Sequence, residues 1–256
     1  MSASKTGFDF AFEWRITLFT VLMVPLMISL GFWQLQRAAE KAHLVTVFEE
    51  RQRQDPAPLP ALWDKPAESL AYVPVRVSGR FLSEQYFLLD NQVQDGRVGY
   101  QVLGILQLAD AAGSVLVNRG WIAGDPGRRV LPEVPAVTGA VNITGHVYVA
   151  PGAPYLLAEQ QLDEGWPKQI QAVQMDKLVP AVEGLLGGRV FPYPVRMDAG
   201  QWGALSVDWQ IVNMSAQRHQ GYAVQWFTMA AILLVFYLLR SSNLWQLITG
   251  AGRTGK

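Results

Sequence analysis

The chain contains no cysteine, which excludes disulfides, thiolate-bound metal, covalent c-type haem attachment and thiol catalysis together. It has no excess of either charge. Its 21 basic and 21 acidic residues cancel, so nothing draws it electrostatically toward nucleic acid. Histidine is scarce: His43, His146 and His219 share no ligand spacing. The His-Glu-x-x-His zinc motif, the phosphate loop and the glycine-rich dinucleotide fingerprint are all missing. No nucleophile is visibly paired with a base, so the expectation is a protein that is not an enzyme. Internal repeats and low-complexity tracts are absent too, which leaves one extramembrane domain rather than an array.

Charge is also missing locally, from two long apolar runs. Arg15 and Arg37 bracket 21 residues without Asp, Glu, Lys or Arg, and Arg218 and Arg240 bracket another 21. Each run is long enough as a helix to cross a hydrocarbon core of about 30 Å at about 1.5 Å per residue. A cleaved secretory signal fits the first run less well than an anchor does. Ile16 to Trp33 exceeds a usual signal core, Asp9 and Glu13 occupy what would be its basic region, and neither Gly31-Phe32-Trp33-Gln34 nor Ala39-Glu40-Lys41-Ala42 makes a good cleavage site. For the second run, Gly221 to Leu239, the alternative is a buried helix of a soluble domain. Trp226, Tyr237 and Trp245 are placed as interfacial aromatics and favour the membrane.

The expected fold class is therefore a membrane protein. Two transmembrane helices, N- and C-terminal, at 16–36 and 218–240, flank a β-rich α+β extramembrane domain over 37–217, mostly antiparallel sheet. The two spans run antiparallel, which brings their domain-side ends to similar depth. Orientation is less sharply written. The C-terminal tail carries Arg240, Arg253 and Lys256 without an acid, and the N-terminal tail carries Lys5 and Arg15, but Arg37, Lys41, Arg51 and Arg53 follow the first span on the domain side. Short basic tails stay inside, whereas long domains translocate largely regardless of charge. The tails, 1–15 and 241–256, are expected in the cytoplasm and the domain in the periplasm. An N-terminal tail too short for an Arg-rich presequence favours a bacterial inner membrane.

Within the domain, Ala38 to Arg53 reads as a helical continuation of the first span, stopped by the prolines of Gln54-Asp55-Pro56-Ala57-Pro58-Leu59-Pro60. Strand patterns follow at Val73 to Phe81, Tyr86 to Leu89, Gly99 to Leu108, Ser114 to Ile122 and Val141 to Val149. Met175 to Glu183 reads as a short helix broken at Gly184, and Val190 to Met197 and Val207 to Val212 as further strands. Whether the sheet closes into a barrel is not legible in these patterns.

Candidate sites concentrate at the membrane ends. Trp33, Arg37 and Lys41 share one helical face beyond the first span, with Gln34 putting an amide at the boundary. Interfacial anchoring accounts for Trp33 and Arg37, but less well for Gln34 and the bare backbone of Gly31. At the start of the second span, His219, Tyr222, Ala223, Trp226 and Ala230 form one stripe. That is a wall for a flat aromatic ligand with an imidazole placed for axial iron ligation, or else a boundary histidine among belt aromatics. Gln225 lies deeper and needs a partner in lipid, with Gln34 across the helices as a candidate. In the domain, Arg119 in Asn118-Arg119-Gly120-Trp121 is a ligand-carboxylate anchor or half of an internal ion pair. Asp125-Pro126-Gly127-Arg128-Arg129 reads as a solvated loop.

These residues resemble the Surfeit-locus family of cytochrome oxidase assembly factors. The likeness is carried by Leu30-Gly31-Phe32-Trp33-Gln34 with Arg37 and Lys41; by Tyr72-Val73-Pro74-Val75 with Gly79 and Phe81; and by Gly99-Tyr100 and Val117-Asn118-Arg119-Gly120-Trp121. It ends with His219, Tyr222-Ala223 and Trp226-Phe227. Each motif is weak, but their order between two spans is specific. The chain departs from the family at Gln217-Arg218, where paired asparagines are frequent, and at Gly104-Ile105, where Thr-Pro is frequent. The resemblance implies a non-catalytic chaperone role in biogenesis of a haem-copper terminal oxidase of the respiratory chain. Its implied cofactor is transiently held haem a, received for insertion into the oxidase's catalytic subunit. The implied partners are that subunit, haem a synthase and the lipid bilayer. His219 maps onto the family's second-helix histidine as the candidate axial iron ligand. The contacting set is then Trp33, Gln34, Arg37, Arg218, His219, Tyr222 and Trp226. A structural chaperone of an oxidase subunit that binds no cofactor is the alternative.

Overall fold

The computed structural model describes residues 10–110, 112–150, 152, 154, 156, 158–211 and 214–243. The expectations placed on Lys5, Asp9, Val212, Trp245, Arg253 and Lys256 lie outside them. The chain forms two compact units, one of residues 1–46 with 211–256 and the other of residues 47–210.

The first unit is an antiparallel helix pair. Helix α1 spans Trp14–Gln52, and helix α4, the last among the described residues, spans Ala216–Ser241. Both are long and apolar enough to cross a membrane, and only 11% of the residues in each apolar stretch are buried. A core helix of a soluble protein would be mostly buried. Here Leu18, Phe19, Leu22 and Phe32 on α1, and Val224, Ile232, Val235 and Phe236 on α4, are exposed, as lipid-facing side chains would be. The facing surfaces are built of small residues. Thr20, Gly31 and Ala38 on α1 and Ala223, Ala230 and Ser241 on α4 are buried, which lets two backbones approach closely. At the tail end, Thr17 Oγ1 and Tyr237 OH lie 3.0 Å apart, and Arg240 pairs with Glu13 at 3.1 Å. Ser215 opens α4, its side chain accepting from the Arg218 amide as an N-cap does.

The second unit is a closed sheet. Its strands are β1 (Ala57–Pro58), β2 (Pro74–Gln94), β3 (Arg97–Leu108), β4 (Ser114–Ala123), β5 (Val141–Val147), β6 (Lys168–Ile170) and β7 (Val195–Met197). Helix α2 (Ala67–Leu70) precedes β2, and α3 (Met175–Leu186) lies between β6 and β7. Pairing runs β2-β3-β4-β7-β5 and returns to β2, so the sheet closes into a barrel. Closure depends on β2. Register shifts between Phe81 and Tyr86 and between Leu89 and Gln92 bend this 21-residue strand, as bulges do. Its first part pairs with β5, and its last part with β3 and β6. The pairs β2–β3, β2–β5, β3–β4 and β5–β7 are antiparallel, and β1–β2, β2–β6 and β4–β7 parallel. The sheet is thus mixed but mostly antiparallel.

Two apolar clusters explain the strand patterns. Val75, Val77, Phe81, Leu106, Val115, Val117, Ile143, Val195 and Met197 pack in one. Phe87, Leu103, Ile105, Leu116 and Ile170 pack with Leu178 and Val182 of α3 in the other. Strand β4 therefore buries both faces, which is why Val115-Leu116-Val117 reads as a continuous apolar run rather than an alternating one. Asp95 and Gly96 have φ of 51° and 73°, the two-residue turn that suits the twist of a tight hairpin.

The structure corrects several boundaries. The separate patterns at Val73 to Phe81 and Tyr86 to Leu89 belong to one strand, its alternation interrupted at the bulge. Helix α3 continues through Gly184 and ends at Gly187, where φ is 64°, a value that favours glycine. Of the expected strand from Val190 to Met197, only Val195–Met197 pairs as one; Pro192 and Pro194 have no amide N–H to give a ladder. The expected strand at Val207 is not formed over the described residues of that stretch. Trp209 there donates its indole N–H to the Met197 carbonyl at 2.8 Å.

Candidate functional site

Helix pairing brings the two membrane-end motifs together in one contact. Gln34 lies on the face of α1 that carries Gly31 and Ala38, three residues before it and four after. His219 begins the inward face of α4, followed by Ala223, Trp226 and Ala230. Gln34 Oε1 and His219 Nδ1 are 2.7 Å apart. An amide oxygen only accepts, so the imidazole donates from Nδ1 and its Nε2 carries the free lone pair. One turn deeper, Phe227 packs against the bare backbone of Gly31. A Cβ on Gly31 would meet the Phe227 ring carbons at 2.5–2.9 Å, and Phe32 meets the same ring edge-on with centroids 5.3 Å apart. The Gly31 backbone that interfacial anchoring left unexplained is thus the seat of an aromatic ring. Phe227 is the residue the stripe reading left out, although its spacing from Ala223 and Ala230 placed it beside that stripe.

The remaining candidates are placed less centrally. Trp33 and Tyr222 are 48% and 45% exposed, so they flank the contact rather than form it. Trp226 is half-buried on the inward face. The Arg37 guanidinium lies over the Trp33 ring, 5.7 Å from its centroid, and pairs with Glu40 at 2.7 Å. Arg218, exposed and next to His219, makes no ion pair among the described residues. Gln34 bonds His219 and not Gln225, which corrects the expected amide pair. Gln225 is exposed on α4 and makes no side-chain hydrogen bond among the described residues.

Domain residues singled out in the sequence have structural roles. Arg119 makes no ion pair among the described residues. It donates from Nε to the Gly203 carbonyl at 2.7 Å and from Nη2 to the Pro135 carbonyl at 2.9 Å, with its guanidinium over Phe81. Burial holds its pKa below the usual arginine range. In the loop after β4, Asp125 accepts from the Arg129 amide at 2.9 Å, and Gly127 and Arg128 are exposed, as a solvated turn requires.

His146 is a buried histidine of the barrel wall. Phe48 and Tyr72 pack around it, with centroids 5.5 and 6.3 Å away. Burial, reinforced by the nearby charge of Arg196, lowers its pKa from 6.5 to about 4. Above pH 6.5 both the folded and the unfolded chain carry a neutral ring. As pH falls from 6.5 toward 4 only the unfolded chain takes up the proton, so stability drops across that window and levels off below it. The full loss is on the order of 3 kcal/mol. Denaturant unfolding of the wild type should show this slope, and His146→Phe should flatten it. An unchanged slope in His146→Phe would show that other groups set the acid sensitivity.

As a donor set the helix contact is sparse. No group of three or more His, Asp or Glu placed to hold a metal ion occurs among the described residues. A single imidazole with Nδ1 engaged and Nε2 free does fit a macrocycle's metal, which needs only an axial ligand from the protein.

A closed barrel domain, set in the chain between two helices able to cross a membrane and meeting through an imidazole–amide pair, defines a two-span membrane-anchored class. The SURF1 family model matches residues 21–231, from inside the first apolar helix to inside the second. The chain belongs to the SURF1 family. It is similar to the SURF1-like protein of Dictyostelium discoideum, 30% identical over 134 residues that cover 49% of this chain and 46% of that protein. Surfeit locus protein 1 of Mus musculus is 31% identical over 165 residues, 57% of this chain and 51% of the mouse protein. The cytochrome oxidase assembly protein SHY1 of Saccharomyces cerevisiae is 28% identical over 115 residues, 44% and 30%. The chain spans about half the length of the first two of these relatives.

Proposed function

We propose that this protein is a membrane-anchored, non-catalytic assembly factor for a haem-copper cytochrome c oxidase. It receives haem a and assists insertion into the catalytic subunit, with haem a synthase as the donor-side partner. The observation that carries the haem reading is the Gln34–His219 pair, 2.7 Å long, at the domain-side ends of both apolar helices. An amide accepting from Nδ1 fixes tautomer and ring orientation, the device by which proteins hold a metal-binding histidine ready. Haem, when bound, would supply an iron that His219 Nε2 could hold. Ala223 leaves room beside the ring, Trp226 and Tyr222 offer aromatic surface, and Arg218 supplies a cation near water for a propionate. Arg37 is less available because Glu40 already holds it. The similarity to SHY1, a cytochrome oxidase assembly protein, supports the choice of partner. Deleting the gene should lower activity and haem content of the haem-copper oxidase while its subunit transcripts stay level. Normal oxidase assembly in such a strain, with no paralogue to compensate, would refute the proposal.

A second reading has an observation of its own. The Gln34–His219 bond pairs two polar side chains across the helices and by itself is worth on the order of 1 kcal/mol as interhelical glue. The pair then only holds the two helices for a structural chaperone without a cofactor. As to location, we place the domain in the periplasm of a bacterial inner membrane and both tails in the cytoplasm. The apolar helices and the acid-free charges after Leu239 support this. A reporter fused at Gly127 should score as periplasmic and one after Lys256 as cytoplasmic; a cytoplasmic score at Gly127 reverses the orientation.

A further inference from the structure

Arg196 of β7 is a half-buried cation that the haem reading does not use. Its neighbours in the strand, Val195 and Met197, face the core, so Arg196 points to the outer wall of the barrel, where it pairs in register with Asn118 of β4 and His146 of β5. The guanidinium lies 3.7 Å from the centroid of Tyr148 and 5.0 Å from that of Trp209. Its Nε has no hydrogen-bond partner, and it makes no ion pair among the described residues. Burial holds its pKa below the usual arginine range, while Tyr148 and Tyr72 act in the opposite sense.

Two clefts meet at this side chain. One, of about 270 Å³, is lined by Gln92, Gln101, Trp121, Trp209 and Arg196 together with the acids Asp95 and Asp208. The other, of about 320 Å³, is lined by Gln92, Gln101, Asn118, Tyr148, Gln171 and Arg196 among others, and its described lining contains no acid. The amides are already oriented. Asn118 Nδ2 donates to Gln101 Oε1 at 2.8 Å, so the end of Gln101 left for a ligand is its NH₂. Asn91 Nδ2 donates to Gln171 Oε1 at 2.9 Å, which leaves Gln171 in the same position. The junction offers a planar five-donor cation held by aromatic rings, with two amide NH₂ groups lining the acid-free cleft. Such a set matches a carboxylate, which accepts a forked guanidinium and further N–H donors at once.

We infer that Arg196 and Gln101 form a carboxylate-binding site on the outer wall of the barrel, independent of haem. The carboxylate is that of an Asp or Glu side chain in a protein segment, or of a small organic acid. Because Arg196 lies where the clefts meet, a ligand with its carboxylate there extends into the acid-free one.

The test uses the full chain in detergent micelles, labelled with ¹⁵N-arginine, with the Arg196 Nε–H resonance assigned by its loss in Arg196→Gln. Glutarate, the capped tripeptide Ala-Glu-Ala and its Ala-Gln-Ala counterpart are titrated. The Nε–H resonance should move and saturate with glutarate and with the Glu peptide, and stay in place with the Gln peptide. Gln101→Glu keeps the acceptor for Asn118 but sets an internal carboxylate beside Arg196, and should weaken both acids about tenfold or more. Tighter binding of the Glu peptide than of glutarate assigns the site to a protein segment, and equal or weaker binding to a small acid. A resonance unmoved by either acid, moved equally by the Gln peptide, or indifferent to Gln101→Glu would leave Arg196 a wall residue stacked on Tyr148 and overturn the inference.

Discussion

If the proposed haem site is right, the wild type purified from a haem-replete membrane is expected to show a Soret band and protein carrying His219→Ala to lack it. Its barrel should still unfold at the wild-type denaturant concentration, because His219 belongs to the helix pair and the apolar clusters lie in the domain. The graded variants carry the mechanistic content. Gln34→Leu keeps the imidazole but removes the acceptor for Nδ1–H, freeing the ring to turn and to change tautomer. Loss of such an outer hydrogen bond weakens metal binding by roughly 10- to 100-fold, so haem should titrate into this variant with a weaker affinity and remain detectable. Arg218→Ala should weaken retention further than Arg37→Ala, since Arg37 is held by Glu40 at 2.7 Å. A full Soret band in His219→Ala would remove haem from the pair and leave the structural-chaperone reading. Oxidase assembly measured in the same strain then separates the readings, because a structural chaperone tolerates His219→Ala wherever the helices still pair.

The second large effect is steric. Gly31→Ala places a methyl group 2.5–2.9 Å from the ring carbons of Phe227, inside any attainable carbon–carbon contact, so the ring or the helix has to move. Overpacking of this kind costs typically 1–3 kcal/mol, and here it falls on the contact one turn from the Gln34–His219 bond. In a Phe227→Ala background the same substitution should cost nothing and even help slightly, since alanine is the better helix former by about 1 kcal/mol. A double-mutant cycle on unfolding of the helix pair reads the coupling directly. The cysteine-free chain allows labels to be placed on each helix without interference. Additive effects of the two substitutions would mean that Gly31 does not seat Phe227.

Several features of this protein are one-dimensional properties, and the chain alone determines them. Spans of 21 residues without charge are set by length and composition, because a membrane span satisfies its backbone internally and needs little from the rest of the fold. The start of α1's extension and its stop before Pro56 follow from local backbone restriction. Strands β3, β4 and β5 announce themselves by apolar runs between turn residues, and the order of weak motifs identifies the SURF1 family. Tertiary structure decided whatever depends on residues far apart in the chain. Barrel closure rests on bulges in β2 that let one strand pair with β5, β3 and β6 in turn, and bulges leave little trace in a pattern beyond a lapse in alternation. Val190 to Met197 has strand composition, yet its prolines and its neighbours leave it only a short ladder. The partner of Gln34 is 185 positions away, and composition on α4 offered two polar candidates, His219 and Gln225. Rotation of the helix about its axis, set by packing Ala223 and Ala230 inward, turned His219 toward Gln34 and Gln225 away. Arg119 and Arg196 look alike in sequence, each an arginine in an apolar strand. One finds backbone carbonyls of distant loops and the other finds two aromatic rings and open clefts, a difference made only by which segments fold against them.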